Sequence, residues 1–499
     1  MKREASTLQL KNSKTYKLTN LQTYMSHAEL LTLGLYIFII IPVMVIVVME
    51  KRQPTKTVAW LLVLTFLPFI GLIFYFFFGQ NIRKERYIAR HSLDKLIRKS
   101  MKKDDGQSAL PLPESNRMLI RLFANQELAL PTSDNDVEIY SSASRLFDDM
   151  LLCIRQAKLH VHLCSYIIED DALGQRFAEA LSSKAKEGVE VRLLYDSVGS
   201  LHASRQFFKQ MQDAGVEVSS FMAVRFPFLT RRINYRNHRK LCIVDGEVGF
   251  IGGMNIAQRY IDGTGEQPWH DLHLKVTGGA VTAMQHVFEE DWYFATKHLL
   301  NNNRYYPQIH QQSADACLAQ VVTSSPSTQW HNIMQGYVRV LLDAHDYVYM
   351  QTPYFLPTEP VLFAMHTAAL SGVDVRLMLP LRGDSKIVEW ASRSYLAEVV
   401  KAGVKVYLYE AGFLHSKMLV SDDVVCSCGS ANVDFRSFEN NFECNIFLYG
   451  EQVVQQMKEH FLDDQKDARL ITLSDLRRHR QPFVDRFVQS LSRVLAPLL

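Results

Sequence analysis

Residues 237–255 read NHRKLCIVDGEVGFIGGMN, and residues 414–432 read LHSKMLVSDDVVCSCGSAN. Both obey H-x-K-x4-D-x6-G-[GS]-x-N. The first copy supplies His238, Lys240, Asp245, Gly252, Gly253 and Asn255; the second supplies His415, Lys417, Asp422, Gly429, Ser430 and Asn432. A lone H-x-K triplet arises by chance in most long chains. Six fixed positions met twice, each inside an apolar β-like run, indicate a duplicated unit that carries chemistry.

In a strand, residues i and i+2 share a face, so His238 projects with Lys240 and His415 with Lys417, while Arg239 and Ser416 point away. Two imidazoles, two ammonium groups and the amides of Asn255 and Asn432 would together cradle an oxyanion, which suits a phosphodiester. Asp245 and Asp422 complete the motif but stand an odd number of residues from their lysines. They are expected to hold the strand-to-turn geometry.

The duplication extends beyond the motif. LCSYIIEDD around Tyr166 answers MQTPYFLPTE around Tyr354, GVEVRLLYD from Gly188 answers GVDVRLMLP from Gly372, and AGVEV from Ala214 answers AGVKV from Ala402, in the same order. Short β-rich runs alternate with helical patterns, which predicts an α/β fold of parallel construction. Two such units, 137–310 and 316–465, should pack as a pseudo-two-fold pair. Ligands in such sheets bind where strand ends meet, so the chemistry is expected at the seam.

Upstream, Leu30 to Met49 and Thr57 to Gly79 carry no charged residue, and each is long enough to cross a ~30 Å hydrocarbon layer as a helix. The connection between them is too short to hold a domain, so residues 30–79 should form a transmembrane hairpin with both chain ends on one side. Lys and Arg crowd the flanks, above all RKERYIARHSLDKLIRKSMKK from Arg83, which places the bulk of the chain in the cytoplasm of a cell with a multi-pass membrane anchor. A cleaved signal peptide fits poorly, because residues 1–29 form a polar tail and a second apolar run follows at once. Residues 80–136 read as a basic juxtamembrane segment and linker.

Composition agrees with a globular chain. Over 499 residues, 55 Lys and Arg face 52 Asp and Glu, leaving +3, with 47% hydrophobic and 21% charged residues. A balance so near neutral does not suit a nucleic-acid track. Seven cysteines, an odd number thinly spread, argue for a reducing compartment and against a disulfide framework. Cys426, Cys428 and Cys444 lack the spacing of a metal finger, and no metal or cofactor is expected.

The constellation resembles the phospholipase D superfamily, whose members use a duplicated motif of this kind without metal. The hairpin with KRQPTKTVAWLLVLTFLPFIGLIFYFFFG, the first motif with GGMN, PWHDLHLKV, and GSANVDFRSFENNFECNI are similar to the bacterial cardiolipin synthases, from about Leu30 to Leu499. That resemblance implies phosphatidyl transfer between two phosphatidylglycerol molecules through a phosphohistidine, with release of glycerol. It implies His238 as nucleophile and His415 as acid and base, an assignment the residues themselves leave open. Each ring needs an acceptor for its other nitrogen, and Asp271 and Glu443, which follow the motifs at similar distances, are the candidates. Gly253 stands where Ser430 supplies a hydroxyl in the second copy.

Phosphatidylglycerol and anionic membrane lipids are the expected partners, nucleic acid is not, and a homo-oligomer is possible. The insertion MAVRFPFLTRRINYR before His238 suits either a lipid-facing surface or a loop packed on the second unit. Residues 466–499 are expected to hold a C-terminal amphipathic helix, from the spacing of Phe483, Val484, Phe487, Val488, Leu491, Val494 and Leu495. The main competing activity is hydrolysis by a membrane-bound phospholipase D; a nuclease, a scaffold and a pore fit less well.

Overall fold

The computed structural model describes residues 27–50, 54–67, 69–79, 114–127, 129–223, 235–265, 267–307, 316–478 and 483–496. Residues 1–26 of the polar tail, the basic stretch from Arg83 and most of the insertion before His238 lie outside them. The chain forms two compact units, residues 1–81 and 82–499.

In the first unit, His27–Met49 is helical, whereas the second apolar run is divided into Pro54–Phe66, Ile70–Phe74 and a π-helical turn Tyr75–Gly79. The sequence has Pro68 at the first break, and a proline disrupts the helical hydrogen bonds of the preceding turn. Counting the described residues, no helix is long and apolar enough to cross a membrane. Ile40, Val47, Leu64 and Tyr75 form a small core between the segments. Leu35, Phe38, Ile41, Val45, Phe66, Ile70 and Ile73 are exposed.

The larger unit is built on one fifteen-stranded mixed sheet. At its centre Thr132–Tyr140 pairs antiparallel with Cys317–Ser324. Outward from this seam the first half runs through His273–Thr277, Val248–Gly252, Leu241–Val244, His160–Ser165, Glu190–Asp196 and Glu217–Phe221. The second half runs in the same order through Glu443–Tyr449, Val425–Gly429, Met418–Ser421, Tyr347–Gln351, Asp374–Pro380 and Lys405–Tyr409, with Ala468–Ile471 added at its edge. Within this sheet the parallel construction read from the sequence holds only among the three strands from His160 to Phe221 and the three from Tyr347 to Tyr409. The other pairs of the sheet are antiparallel, while two short pairs outside it, Phe355–Leu356 with Val433–Asp434 and Phe413–Leu414 with Trp269–His270, are parallel. Turns at Asp245–Glu247 and Asp422–Val424 join the two strands of each motif, and so short a link cannot make a parallel crossover.

Helices cover both faces. Gly279–Thr296 and Glu451–Lys466 share one core with strands of both halves, through Met284, Phe288, Met457 and Phe461. On the other face each half has its own core, under Ala143–Gln156, Ala172–Lys186 and Arg205–Asp213 in the first and Asn332–Asp343, Glu359–Leu370 and Lys386–Lys401 in the second. Asp171 and Ser204 cap two of these helices by accepting from Gly174 N and Phe207 N. Each fully buried Leu or Phe contributes ~1.5–3 kcal/mol.

Two boundaries differ from the sequence reading. Helix Glu114–Glu127, inside the segment read as linker, packs Leu119 and Phe123 into the core of the second half, where the Phe123 and Phe447 rings lie 4.6 Å apart. Residues 466–499 are not one helix: the chain first adds the edge strand Ala468–Ile471, then forms Leu473–Arg478 and Phe483–Leu495. That last helix docks on Lys386–Lys401, with Arg493 bonded to Glu398 at 2.9 Å and lying 4.1 Å from the Tyr395 ring. Val484, Phe487, Leu491 and Val494 remain exposed on it.

Candidate active site

Both histidines sit on extended segments just before the strands Leu241–Val244 and Met418–Ser421, and each segment is stitched to the opposite half. His238 N donates to Phe442 O at 2.9 Å, and Phe442 N donates to Arg236 O at 2.9 Å. In the mirror arrangement His415 N donates to His270 O at 2.7 Å, and Phe413 N donates to Pro268 O at 2.8 Å. Glu443 follows Phe442 and Asp271 follows His270. This register therefore lays each carboxylate beside the ring that belongs to the other half's motif.

The side chains complete that exchange. His238 Nδ1 lies 3.1 Å from Glu443 Oε2 and 3.1 Å from the Ser430 carbonyl oxygen. Both partners can only accept, so Nδ1 carries the proton and Nε2 is left as the basic nitrogen. His415 Nδ1 lies 2.6 Å from Asp271 Oδ2. Glu443 is itself fixed by Ser430 Oγ at 2.5 Å and Asn441 Nδ2 at 3.1 Å, and Asp271 Oδ1 accepts from Leu272 N at 2.8 Å. Gly253 is explained here: a Cβ at that position would fall 2.1 Å from Asp271 Oδ1. The serine of the second copy holds a glutamate, and the glycine of the first makes room for the shorter aspartate.

The lysines differ in their placement. Each Nζ donates to the carbonyl of its own motif histidine, Lys240 to His238 at 2.7 Å and Lys417 to His415, but Lys417 Nζ also lies 2.7 Å from His415 Nδ1 and 3.5 Å from Asp271 Oδ2. Burial holds the His238 ring below the ordinary histidine value, with the Lys240 charge adding to it and Glu443 opposing. Burial and Lys417 push His415 to about 3. Burial also brings Lys240 to about 7, and lowers Lys417. Against desolvation, Lys417 and the hydrogen-bonded His415 ring hold Asp271 below the usual carboxylate range, and the hydrogen-bonded His238 ring does the same for Glu443. Charge acts across the seam: Lys417 on His238, and Lys240 on His415. The two motifs thus form one electrostatic site, with two ammonium groups set against two carboxylates.

Residues between the motif positions turn the other way. Arg239 is buried against Asp291 at 2.8 Å, and Ser416 donates to Gln351 Oε1 at 2.5 Å. Asp245 and Asp422 lie outside the site, about 16 Å of strand beyond their lysines. Each adopts positive φ and its carboxylate accepts three backbone N–H groups: those of Lys158, Leu159 and His160 for Asp245, and of His345, Asp346 and Tyr347 for Asp422. Asn255 is engaged on both sides, taking the Ile167 N–H at 3.1 Å and donating to the Tyr260 hydroxyl at 2.5 Å. Asn432 donates its backbone N–H to Ser437 Oγ, and its side-chain oxygen is buried without a partner among the described residues. Arg236, the last residue of the insertion that suited either a lipid-facing surface or a packed loop, is buried and pairs with Asp196 at 3.2 Å, and its carbonyl accepts from Phe442 N of the other half.

Sequence reasoning missed the aromatic walls. Tyr166 stands edge-on to His238 at 4.9 Å, while Trp269, Phe413, Tyr260 and Tyr354 lie 5.2, 5.6, 6.0 and 6.3 Å from His415. The repeat itself carried a signal for two of them, since Tyr166 and Tyr354 follow closely after the equivalent strands His160–Ser165 and Tyr347–Gln351.

Comparison with known proteins follows the same outline. The family profile described as "Cardiolipin synthase, PLD-like domain" matches residues 150–292 and 337–465, one motif in each stretch, and "Phospholipase_D-nuclease N-terminal" matches residues 35–80. The cardiolipin synthase of Alkalihalophilus pseudofirmus is 38% identical over 466 residues, 91% of each chain. That of Listeria monocytogenes is 38% identical over 466 residues, covering 91% of this chain and 96% of the relative. Among solved structures, phosphatidylserine synthase from Haemophilus influenzae superposes with a TM-score of 0.58 at 13% identity, over 78% of this chain and 100% of that one. At that identity the likeness is one of fold.

Proposed function

The chain belongs to the cardiolipin synthase family of phospholipase D-like proteins, and on that premise we propose that it joins two phosphatidylglycerol molecules through a phosphohistidine on His238. The observation that carries this reading is the crossed pairing of His238 with Glu443 and His415 with Asp271. It makes one site from two motifs related by an approximate two-fold axis.

In the first step His238 Nε2 attacks phosphorus, the bond from phosphorus to the headgroup glycerol oxygen breaks, and His415 gives that oxygen a proton. In the second, His415 takes the proton from a primary hydroxyl of a second phosphatidylglycerol. That oxygen attacks phosphorus, and the phosphorus–nitrogen bond breaks to return neutral His238. Lys240 and Lys417 offset the charge that builds on the phosphoryl oxygens. His415 is held neutral while the site is empty; the phosphodiester anion favours its imidazolium form and readies it as the acid.

The N-terminal unit supports a bilayer anchor. Its large apolar side chains face outward, and a contiguous exposed patch of that kind is the mark of a membrane surface. The excess of Lys and Arg beside both apolar runs supports a catalytic unit on the cytoplasmic side.

Purified full-length protein supplied with phosphatidylglycerol vesicles should give cardiolipin and free glycerol in equal amounts. Phosphatidic acid in place of cardiolipin would move the reading to a hydrolase. The pH profile offers a separate check. Lys240 is charged below about 7 and loses its proton as pH rises through that value, so kcat/KM should fall on the alkaline side. A bound phosphodiester stabilises the ammonium, so kcat should hold to higher pH. A kcat/KM that stays flat from about pH 6 to 9 would remove Lys240 from phosphate binding.

A further inference from the structure

Cardiolipin synthesis brings together two phosphate anions, one at the histidines and one carried by the incoming lipid, three carbons away from the attacking hydroxyl. The two lysines are matched by Asp271 and Glu443, so the second phosphate needs a cation of its own. The repeat supplies one candidate in each half, four residues after the motif asparagine: Arg259 and Arg436. Their surroundings are unlike. Arg259 is ion-paired with Glu169 and lies 5.6 Å from the Trp269 ring. Leu356 stands where a second Glu169 would be, since Ile168 pairs with Ile256 as Phe355 pairs with Val433. Arg436 is half-buried, and among the described residues its guanidinium makes no hydrogen bond or ion pair.

Arg436 is tied to the motif by its backbone. It opens the π-helical turn Arg436–Asn440, whose Ser437 accepts from Asn432 N at 3.1 Å and donates its own N–H to Asp434 at 2.6 Å. Asn441 N donates to Arg436 O at 2.8 Å, and the Asn441 side chain holds Glu443. The arginine is thus pinned between a motif residue and the carboxylate that orients His238. Its charge acts on the phenol of Tyr166, the ring packed against His238. Asp434, the acid nearest to it in sequence, is pushed up by burial and is engaged by Ser437. On the same loop, the unpartnered side-chain oxygen of Asn432 suits a glycerol hydroxyl.

We propose that Arg436 binds the phosphate of the acceptor phosphatidylglycerol, an inference that rests on the cardiolipin-forming reaction argued above. Arg436→Gln in the full-length protein separates it from that reading through two reactions. Exchange of labelled glycerol into phosphatidylglycerol needs the donor site and a neutral acceptor only, and should change by no more than about threefold. Cardiolipin formation should fall roughly ten- to hundredfold, mostly through weaker saturation by phosphatidylglycerol, with Arg436→Lys recovering most of it. Parallel loss of both reactions in Arg436→Gln would assign the arginine to the donor phosphate or to folding and overturn the proposal. So would no loss in either. An unaltered enzyme that exchanges glycerol but forms no cardiolipin would overturn the functional reading and take this proposal with it.

Discussion

His415→Gln should lower cardiolipin synthesis by roughly 10²–10⁴-fold, the range for removal of a general acid, and His238→Gln should reduce it to background. The two variants should differ in kind as well as degree. On a phosphatidyl ester of p-nitrophenol the leaving group departs without a proton, so His415→Gln should release about one equivalent of nitrophenol in a burst and then stall. The stalled enzyme should carry phosphorus on His238. His238→Gln should give no burst. A burst from His238→Gln, or phosphorus on His415, would reverse the assignment.

Geometry favours this direction. The His238 ring meets only acceptors at Nδ1, which raise the electron density available at Nε2. The His415 ring has the Lys417 ammonium 2.7 Å from Nδ1, which makes it a poorer nucleophile and a stronger acid once protonated. The duplicated motif alone could not separate the two roles, because the separating contact comes from where a lysine side chain folds.

Local pattern carried far into this molecule. The i, i+2 spacing put His and Lys on one side and sent Arg239 and Ser416 to the other, where the structure has them paired with Asp291 and Gln351. The repeated segments reappear as the same strand order on either side of the seam. What was not legible depends on contacts between residues far apart in the chain. Strand direction is one case, although Asp245-Gly246 between two apolar runs is a hairpin signal that argued for antiparallel pairing. The edge strand Ala468–Ile471 is another, short and drawn into the sheet by Lys405–Tyr409. Arg236 is a third: a charge in a basic, aromatic stretch looks solvated until Asp196 is found beside it in the interior.

The deepest of these non-local facts yields the second large effect. Asp271→Asn should lower kcat by roughly 10³–10⁴-fold, the scale seen when the orienting carboxylate of a catalytic histidine becomes an amide. An amide nitrogen facing Nδ1 would force the other tautomer on His415 and leave Lys417 without its counter-charge. Asp271 follows the first motif in sequence but serves the ring of the second. In the nitrophenyl ester assay Asp271→Asn should therefore behave as His415→Gln does, with a burst and little turnover, while Glu443→Gln should lose most of the burst as His238→Gln does. Carboxylates acting within their own halves would produce the opposite pattern. The exchange also bears on why the duplication persists in one chain: each half holds a histidine it cannot orient alone, so correct seating of the seam and readiness for chemistry are the same structural event.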